Sequence, residues 1–275
     1  MKDTISIALC QMKTIPDKEE NLRRAEEMII EAAIHGADIV VLPEMFNTPY
    51  DIRAFGGYAE GEMGPTCQML ARAAKENQIL VVGGSIPERD EDAIYNTSFV
   101  FDDRGQKLAQ YRKKYLFDVD IPGELTFKES RVLSHGEKPV TFMAYGRRFG
   151  LAICFDIRFP EYIQKLSEQG AEAIILPASF NTTTGPAHWE LLGRARAVDN
   201  QVYMIMVATS PYPGSSYYSY GHSMVVNPWG EVEVTAEDEE TMLLHTLDFS
   251  KVAEIRKKLP LLAIRKSRDE ENRHS

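Results

Sequence analysis

The segment GLAICFDIRFPE, Gly150 to Glu161, delivers one cysteine, Cys154, from an apolar run into a stretch carrying Asp156, Arg158 and Glu161. A thiol placed there is either a small buried hydrophobe closing a core strand or a nucleophile held at the edge of a cleft. Attack requires thiolate character, so the second reading needs a base for the proton and a cation for the developing charge. Candidates for both sit where other short strands end, the places at which open α/β sheets build their sites. Glu44 follows DIVVLP and could accept the thiol proton if partial burial raised its pKa. Lys113 follows KLAQYR and would stabilise both a thiolate and an oxyanion, and Glu129 lies in the loop LTFKES. Composition alone leaves both readings of Cys154 open.

The elements that must position these residues are visible as patterns. In TISIALCQM, Ile5, Ile7 and Leu9 alternate with small or polar neighbours, which predicts a strand. KEENLRRAEEMIIEAAIHGAD puts Leu22, Ala25, Ile29 and Ala32 on one helical stripe that Gly36 ends. DIVVLPE is a short, continuous apolar strand, as in a sheet buried on both faces. A helix from Pro65 to Glu76 leads to ILVVGGSIP, and the strands NTSFVFD and QKLAQYRK flank the turn DRG. GADIVVLPE at Gly36 to Glu44 is echoed by GAEAIILPA at Gly170 to Ala178, which suggests two related βαβ halves. A helix over Ala187 to Val198, the strand QVYMIMVAT and a hairpin turning at Pro228 to Gly230 complete the series. No linker rich in Pro, Gly or Ser divides the 275 residues, so one α/β domain over 1–275 is expected, with a charged, frayed tail from about 266.

Charge and cysteine usage narrow the function. A formal net charge of −10 argues against general attraction to nucleic acid or anionic membrane. The three cysteines form no CxxC pair, the six histidines are scattered, and HWE lacks the HExxH spacing of a zinc helix. VVGGS lacks both GxGxxG and a GK[ST] ending, so its glycines are expected to serve a tight turn or close strand packing. Trp189, Trp229 and the tyrosines from Tyr212 to Tyr220 are not interleaved with basic residues, which disfavours a base-stacking surface. The apolar stretch of MKDTISIALCQM is shorter than a secretory leader needs and no run reaches membrane-spanning length, so a cytoplasmic protein with reduced thiols is expected. Cys10 and Cys67 are expected to pack in a strand and a helix.

With these residues in view, the chain resembles the nitrilase superfamily, the carbon–nitrogen hydrolases. The resemblance rests on Glu44 in LPEMFNTPY, Lys113 in YRKKYLFDVDIPG and Cys154 in GLAICFDIRFPE, and it runs from ISIALCQM to NPWGEV. It implies an αββα four-layer sandwich, homodimers or larger homo-oligomers, and no cofactor. It also implies Glu44 as general base, Lys113 as oxyanion-stabilising cation and Cys154 as a nucleophile forming a thioester. The Phe155 backbone N–H would then join Lys113 in the oxyanion hole. Glu129 in FKES matches a second family glutamate that holds the lysine, with Glu124 and Glu137 as neighbours in the same loop region. Within the superfamily, VLPEMFNTPY, YLFDVDIPG, FNTTTGPAHWELL and RARAVDNQVY are similar to omega-amidases, which hydrolyse the terminal amide of 2-oxoglutaramate and 2-oxosuccinamate.

Such a substrate carries a carboxylate that needs a cation. Arg158, four residues beyond Cys154, could supply a bidentate clamp or could instead pair with Asp156 or Glu161. Thr183 and Tyr220 are further binding candidates, and Pro186 in GPAHWE is expected in the first turn of a helix. Three rival functions remain: an N-carbamoyl amino acid amidohydrolase with the same catalytic residues, a non-catalytic binding protein on the same fold, and a papain-like pairing of Cys154 with His188 or His222.

Overall fold

The computed structural model describes residues 2–273 apart from 124 and 216. In chain order the first half contains β1 (Thr4–Gln11), α1 (Lys18–Ile34), β2 (Ile39–Val41), α2 (Ile52–Tyr58), α3 (Pro65–Asn77) and β3 (Leu80–Val82). It continues with β4 (Ile86–Asp90), β5 (Ala93–Phe101), β6 (Lys107–Arg112), β7 (Asp118–Ile121) and β8 (Leu125–Lys128). The second half contains β9 (Val140–Ala144), β10 (Arg147–Leu151), α4 (Pro160–Glu168), β11 (Ala173–Ala178), α5 (Gly185–Asn200) and β12 (Tyr203–Ala208). After it come β13 (Met224–Val226), β14 (Val232–Thr235), β15 (Thr241–Asp248), α6 (Phe249–Lys258) and α7 (Leu261–Arg273).

Two mixed sheets face each other. One runs β15-β1-β2-β3-β5-β4 with β6 also on β5, and the other runs β14-β13-β12-β11-β10-β9. The alternation in β1 explains the layering. Ile5, Ile7 and Leu9 join Ile39, Val41, Leu80 and Val82 in the core between the sheets, against Leu151, Ile175 and Ile205. Their neighbours Ala8 and Cys10 face the other way, packing with Val40 and Val81 under Ala25 and Ile29 of α1 and Leu70 and Ala73 of α3. On the second sheet, Tyr162, Ile163 and Leu166 of α4 and Trp189 and Ala197 of α5 supply the outer layer. Helix, sheet, sheet and helix make the four layers of an αββα sandwich. Cys10 and Cys67 are buried packing residues of β1 and α3, as expected.

The echo between GADIVVLPE and GAEAIILPA is structural. β1, β2 and β3 pair in parallel through α1 and α3, and β10, β11 and β12 do so through α4 and α5. Glu44 therefore leaves the end of β2 just as Ala178 closes β11. Residues 266–273, expected to fray, continue as α7, whose Arg265 donates to the Asp199 carbonyl at 3.0 Å. Lysine, arginine and glutamate in KSRDEENR favour that helix; residues 274 and 275 lie outside the described residues.

The glycines of VVGGS work at close quarters. Gly84 has φ +49°, and a Cβ there would lie 2.0 Å from the Pro43 carbonyl oxygen, in the residue preceding Glu44. Gly84→Ala should therefore destabilise the fold by about 1–3 kcal/mol, whereas Gly57→Ala, on α2 with nothing within 4 Å, should be neutral or stabilising. Chemical denaturation of both variants checks this; equal stabilities would remove Gly84 as a steric requirement.

Candidate active site

Each candidate side chain is carried by a strand end. Beyond β2, the Leu42 N–H still donates to the Val82 carbonyl, and Ser85 N–H donates to the Pro43 carbonyl, fixing the backbone on which Glu44 stands. Lys113 extends β6 by one residue, its N–H donating to the Asn96 carbonyl at 2.8 Å. Glu129 opens a short 3-10 turn after β8. Cys154 opens another, three residues after β10, with φ +44°. A side chain in that left-handed region is strained and persists only where its surroundings hold it.

The three charged groups form one fully buried cluster. Lys113 Nζ donates to Glu44 Oε1 at 2.8 Å and to Glu129 Oε2 and Oε1 at 3.0 and 3.1 Å. Asn96 Nδ2 donates to the same Glu44 Oε1 at 2.9 Å. Glu129 is held further by Tyr50 Oη at 2.8 Å and by the Phe117 N–H at 2.7 Å. Glu44 Oε2 is buried with no hydrogen-bond partner among the described residues, so one carboxylate oxygen is left to accept a proton.

The electrostatics of the cluster work against a thiolate at Cys154. Burial raises the Glu44 pKa above its ordinary value, against the pull of the Lys113 charge, and the Glu129 charge adds to the rise. Burial also works against the Lys113 ammonium, but the charges of Glu129 and Glu44 outweigh it and its pKa is raised. The Cys154 thiol is pushed well up, first by burial and then by the Glu44 charge, with Lys113 and a backbone hydrogen bond from Ser179 acting the other way. One cation between two carboxylates already leaves an excess negative charge, so a second anion on sulfur is disfavoured until a proton moves.

Above Cys154 lies a narrow cavity lined by Phe117, Phe155, Arg158, Ser179, Phe180, Thr184 and Tyr217. Arg158 does not pair with Asp156 or Glu161. Its guanidinium contacts His188 Nδ1 at 3.2 Å and lies over the Phe155 and Phe180 rings, and among the described residues it has no carboxylate partner. Asp156 instead points inward and accepts from backbone and tyrosine donors.

Glu44, Lys113, Glu129 and Cys154 are thus brought together, with Arg158 at the same cavity. Thr183 and Tyr220 are not. Asn181 Oδ1 accepts from the N–H groups of both Thr183 and Thr184, and that turn leaves Thr183 exposed and Thr184 on the cavity. Tyr220 stacks on His222 and covers Gly185, while Tyr217 takes the cavity position. Pro186 lies in the first turn of α5. Neither histidine serves the thiol: His188 meets Arg158, and His222 Nδ1 meets the Tyr220 carbonyl. Glu137 is exposed, and Glu124 lies outside the described residues. Tyr50 closes the LPEMFNTPY motif and Tyr217 lies in the tyrosine-rich run expected at a pocket rim or oligomer interface, but neither was singled out by type or spacing, and Asn96 carried no signal.

Comparison with known proteins places this geometry in context. The carbon–nitrogen hydrolase family pattern matches residues 6–257. Omega-amidase NIT2 of Mus musculus is 47% identical over 259 residues, covering 94% of each chain. Omega-amidase NIT2 of Homo sapiens is 47% identical over 261 residues, covering 95% of each. Among solved structures, Nit3 of Saccharomyces cerevisiae, a member of branch 10 of the nitrilase superfamily, superposes with a TM-score of 0.87 at 40% identity. That match covers 95% of this chain and 97% of the yeast chain.

The cluster makes a stability prediction. Glu129→Gln turns an amide N–H₂ toward donors, at Lys113 or Phe117, and should destabilise by about 1–3 kcal/mol in denaturant unfolding. Tyr50→Phe removes one donor and leaves the carboxylate's other partners, so its loss should be smaller, about 1 kcal/mol. A Glu129→Gln variant as stable as the parent would mean that Glu44 alone satisfies Lys113.

Proposed function

Because the chain belongs to the carbon–nitrogen hydrolase family, we propose that it is an amidase releasing ammonia from a small carboxylate-bearing amide through a Cys154 thioester. The observation that carries this reading is the buried Glu44–Lys113–Glu129 cluster beside Cys154, with the Arg158 cation on the same cavity. The substrates favoured are 2-oxoglutaramate and 2-oxosuccinamate, on the strength of the omega-amidase relatives.

The chemistry follows from the donors available. Glu44 Oε2 takes the thiol proton as the sulfur attacks the amide carbon, so no free thiolate accumulates. The carbonyl electrons move onto oxygen, where the Phe155 N–H and Lys113 would meet them. Lys113 has three N–H donors; one serves Glu44 and one can be shared between the Glu129 oxygens, which leaves the third for the oxyanion. Collapse breaks the carbon–nitrogen bond, and the proton on Glu44 passes to nitrogen, releasing ammonia and leaving the thioester. Water then attacks the thioester, Glu44 accepts its proton and returns one to sulfur, and the dicarboxylate departs. Arg158 would hold the distal carboxylate and leave the amide end at Cys154.

Ammonia release from 2-oxoglutaramate, with Cys154→Ala as a folded control, tests the proposal. Release by the parent and none by the control is expected; undiminished release by Cys154→Ala would overturn the thioester route. Release of both ammonia and carbon dioxide from N-carbamoyl amino acids, with none from 2-oxoglutaramate, would move the substrate to that class. The raised Glu44 pKa gives a second expectation. The base must be ionised, so activity should fall as pH falls, with a midpoint above 4.5, the ordinary value for a glutamate.

A further inference from the structure

Cys154 and Lys113 belong to different sheets. Cys154 follows β10, Lys113 follows β6, and neither strand's ladder sets the spacing between them. Both attack and oxyanion binding depend on that spacing. One buried side chain outside the catalytic set spans it.

We propose that Asp156 is a positioning residue that fastens the turn bearing Cys154 to the segment bearing Lys113 and so fixes the geometry of attack. Its Oδ2 accepts from the Ile153 N–H at 2.8 Å, in the residue preceding the nucleophile. The same oxygen accepts from Tyr111 Oη at 2.7 Å, and Oδ1 accepts from the Tyr115 N–H at 2.9 Å. Tyr111 and Tyr115 stand two residues on either side of Lys113, so the carboxylate grips the lysine segment at both flanks. Tyr111 Oη also accepts from the Lys114 N–H at 3.1 Å, which closes the loop around Lys113 itself.

On the cysteine side, the Asp156 N–H donates back to the Ile153 carbonyl at 3.1 Å. Ile153 is thereby bonded through both its N–H and its carbonyl, which restrains the backbone just before the strained φ of Cys154. Asp156 is fully buried and meets only neutral donors directly; burial pushes its carboxyl up to about 6 against their pull. A charge kept where burial disfavours it is weak evidence for a stabilising role and fits a geometric one.

The inference rests on Cys154 being the nucleophile, and its test separates the two. In Asp156→Asn, one of the three donors would face an amide N–H₂. With turnover of 2-oxoglutaramate counted per Cys154 that iodoacetamide can label, kcat should fall roughly 10- to 100-fold with KM nearly unchanged, the scale expected for an ångström-level misplacement. The rate of Cys154 alkylation should slow as well, read by mass spectrometry of its peptide. Tyr111→Phe removes one donor and should lower kcat in the same direction by less. A merely structural role predicts a lower melting temperature with unchanged kcat per labelled Cys154, and that result would overturn the inference. Should Asp156→Asn fail to fold, unchanged kcat and alkylation rate in Tyr111→Phe overturn it instead. Ammonia release persisting in Cys154→Ala would sink the reaction reading and this inference with it, whereas unchanged kcat and alkylation rate in Asp156→Asn, with release abolished in Cys154→Ala, would sink this inference alone; if the parent ignores 2-oxoglutaramate the alkylation rates carry the test.

Discussion

A single ammonium buried between two carboxylates governs this structure. Lys113 has no solvent to fall back on, so its charge survives only through Glu44 and Glu129, and they lean on it in turn, with Asn96, Tyr50 and the Phe117 N–H as their other donors. That mutual dependence brings together the end of β2, the end of β6 and the turn after β8. It also constrains the neighbouring thiol: burial and the Glu44 charge both work against ionisation of the Cys154 sulfur. The arrangement differs from a thiolate–imidazolium pair, in which the nucleophile is ionised at rest.

The rest of the fold supplies rigidity to that cluster. Glu44 follows β2, every residue of which is buried, and Cys154 follows β10, which meets the opposite sheet on one face and Leu166 of α4 on the other. Gly84 lets the segment after β3 run against Pro43, and Asn96 both pairs with the Lys113 backbone and donates to Glu44. The site is therefore built from strand ends whose directions are set by sheet packing.

Much of this was legible in the chain because the relevant patterns are local. Alternation in TISIALCQ sorted Ile5, Ile7 and Leu9 from Ala8 and Cys10, and the spacing of Ala25, Ile29 and Ala32 marked the buried stripe of α1. Glu44, Lys113, Glu129 and Cys154 were recognisable through resemblance, since their flanking motifs are distinctive. Residues whose role arises only from long-range contact were not. Asn96 reaches Glu44 across 52 positions and Tyr50 reaches Glu129 across 79, and nothing in either segment records the partner. Thr183 was named where Thr184 lines the cavity, because the turn's orientation depends on Asn181 accepting from both N–H groups. Asp156, suggested as an ion-pair partner for Arg158, is directed inward by donors from the other sheet.

The pairing of β1 with β15 has a consequence for how the molecule is made. Thr4 lies opposite Asp248 and Gln11 opposite Thr241, and the Gln11 side chain bonds the Glu237 and Glu239 carbonyls and the Ser223 N–H. β1 thus waits for β15, with all the intervening strands and helices of both sheets made between them. Contacts of such sequence separation slow folding, because loop-closure entropy is lost before they form. Until β15 emerges from the ribosome, β1 carries an unpaired edge on the very sheet that supports Glu44 and Lys113, a template for edge-to-edge association throughout that interval.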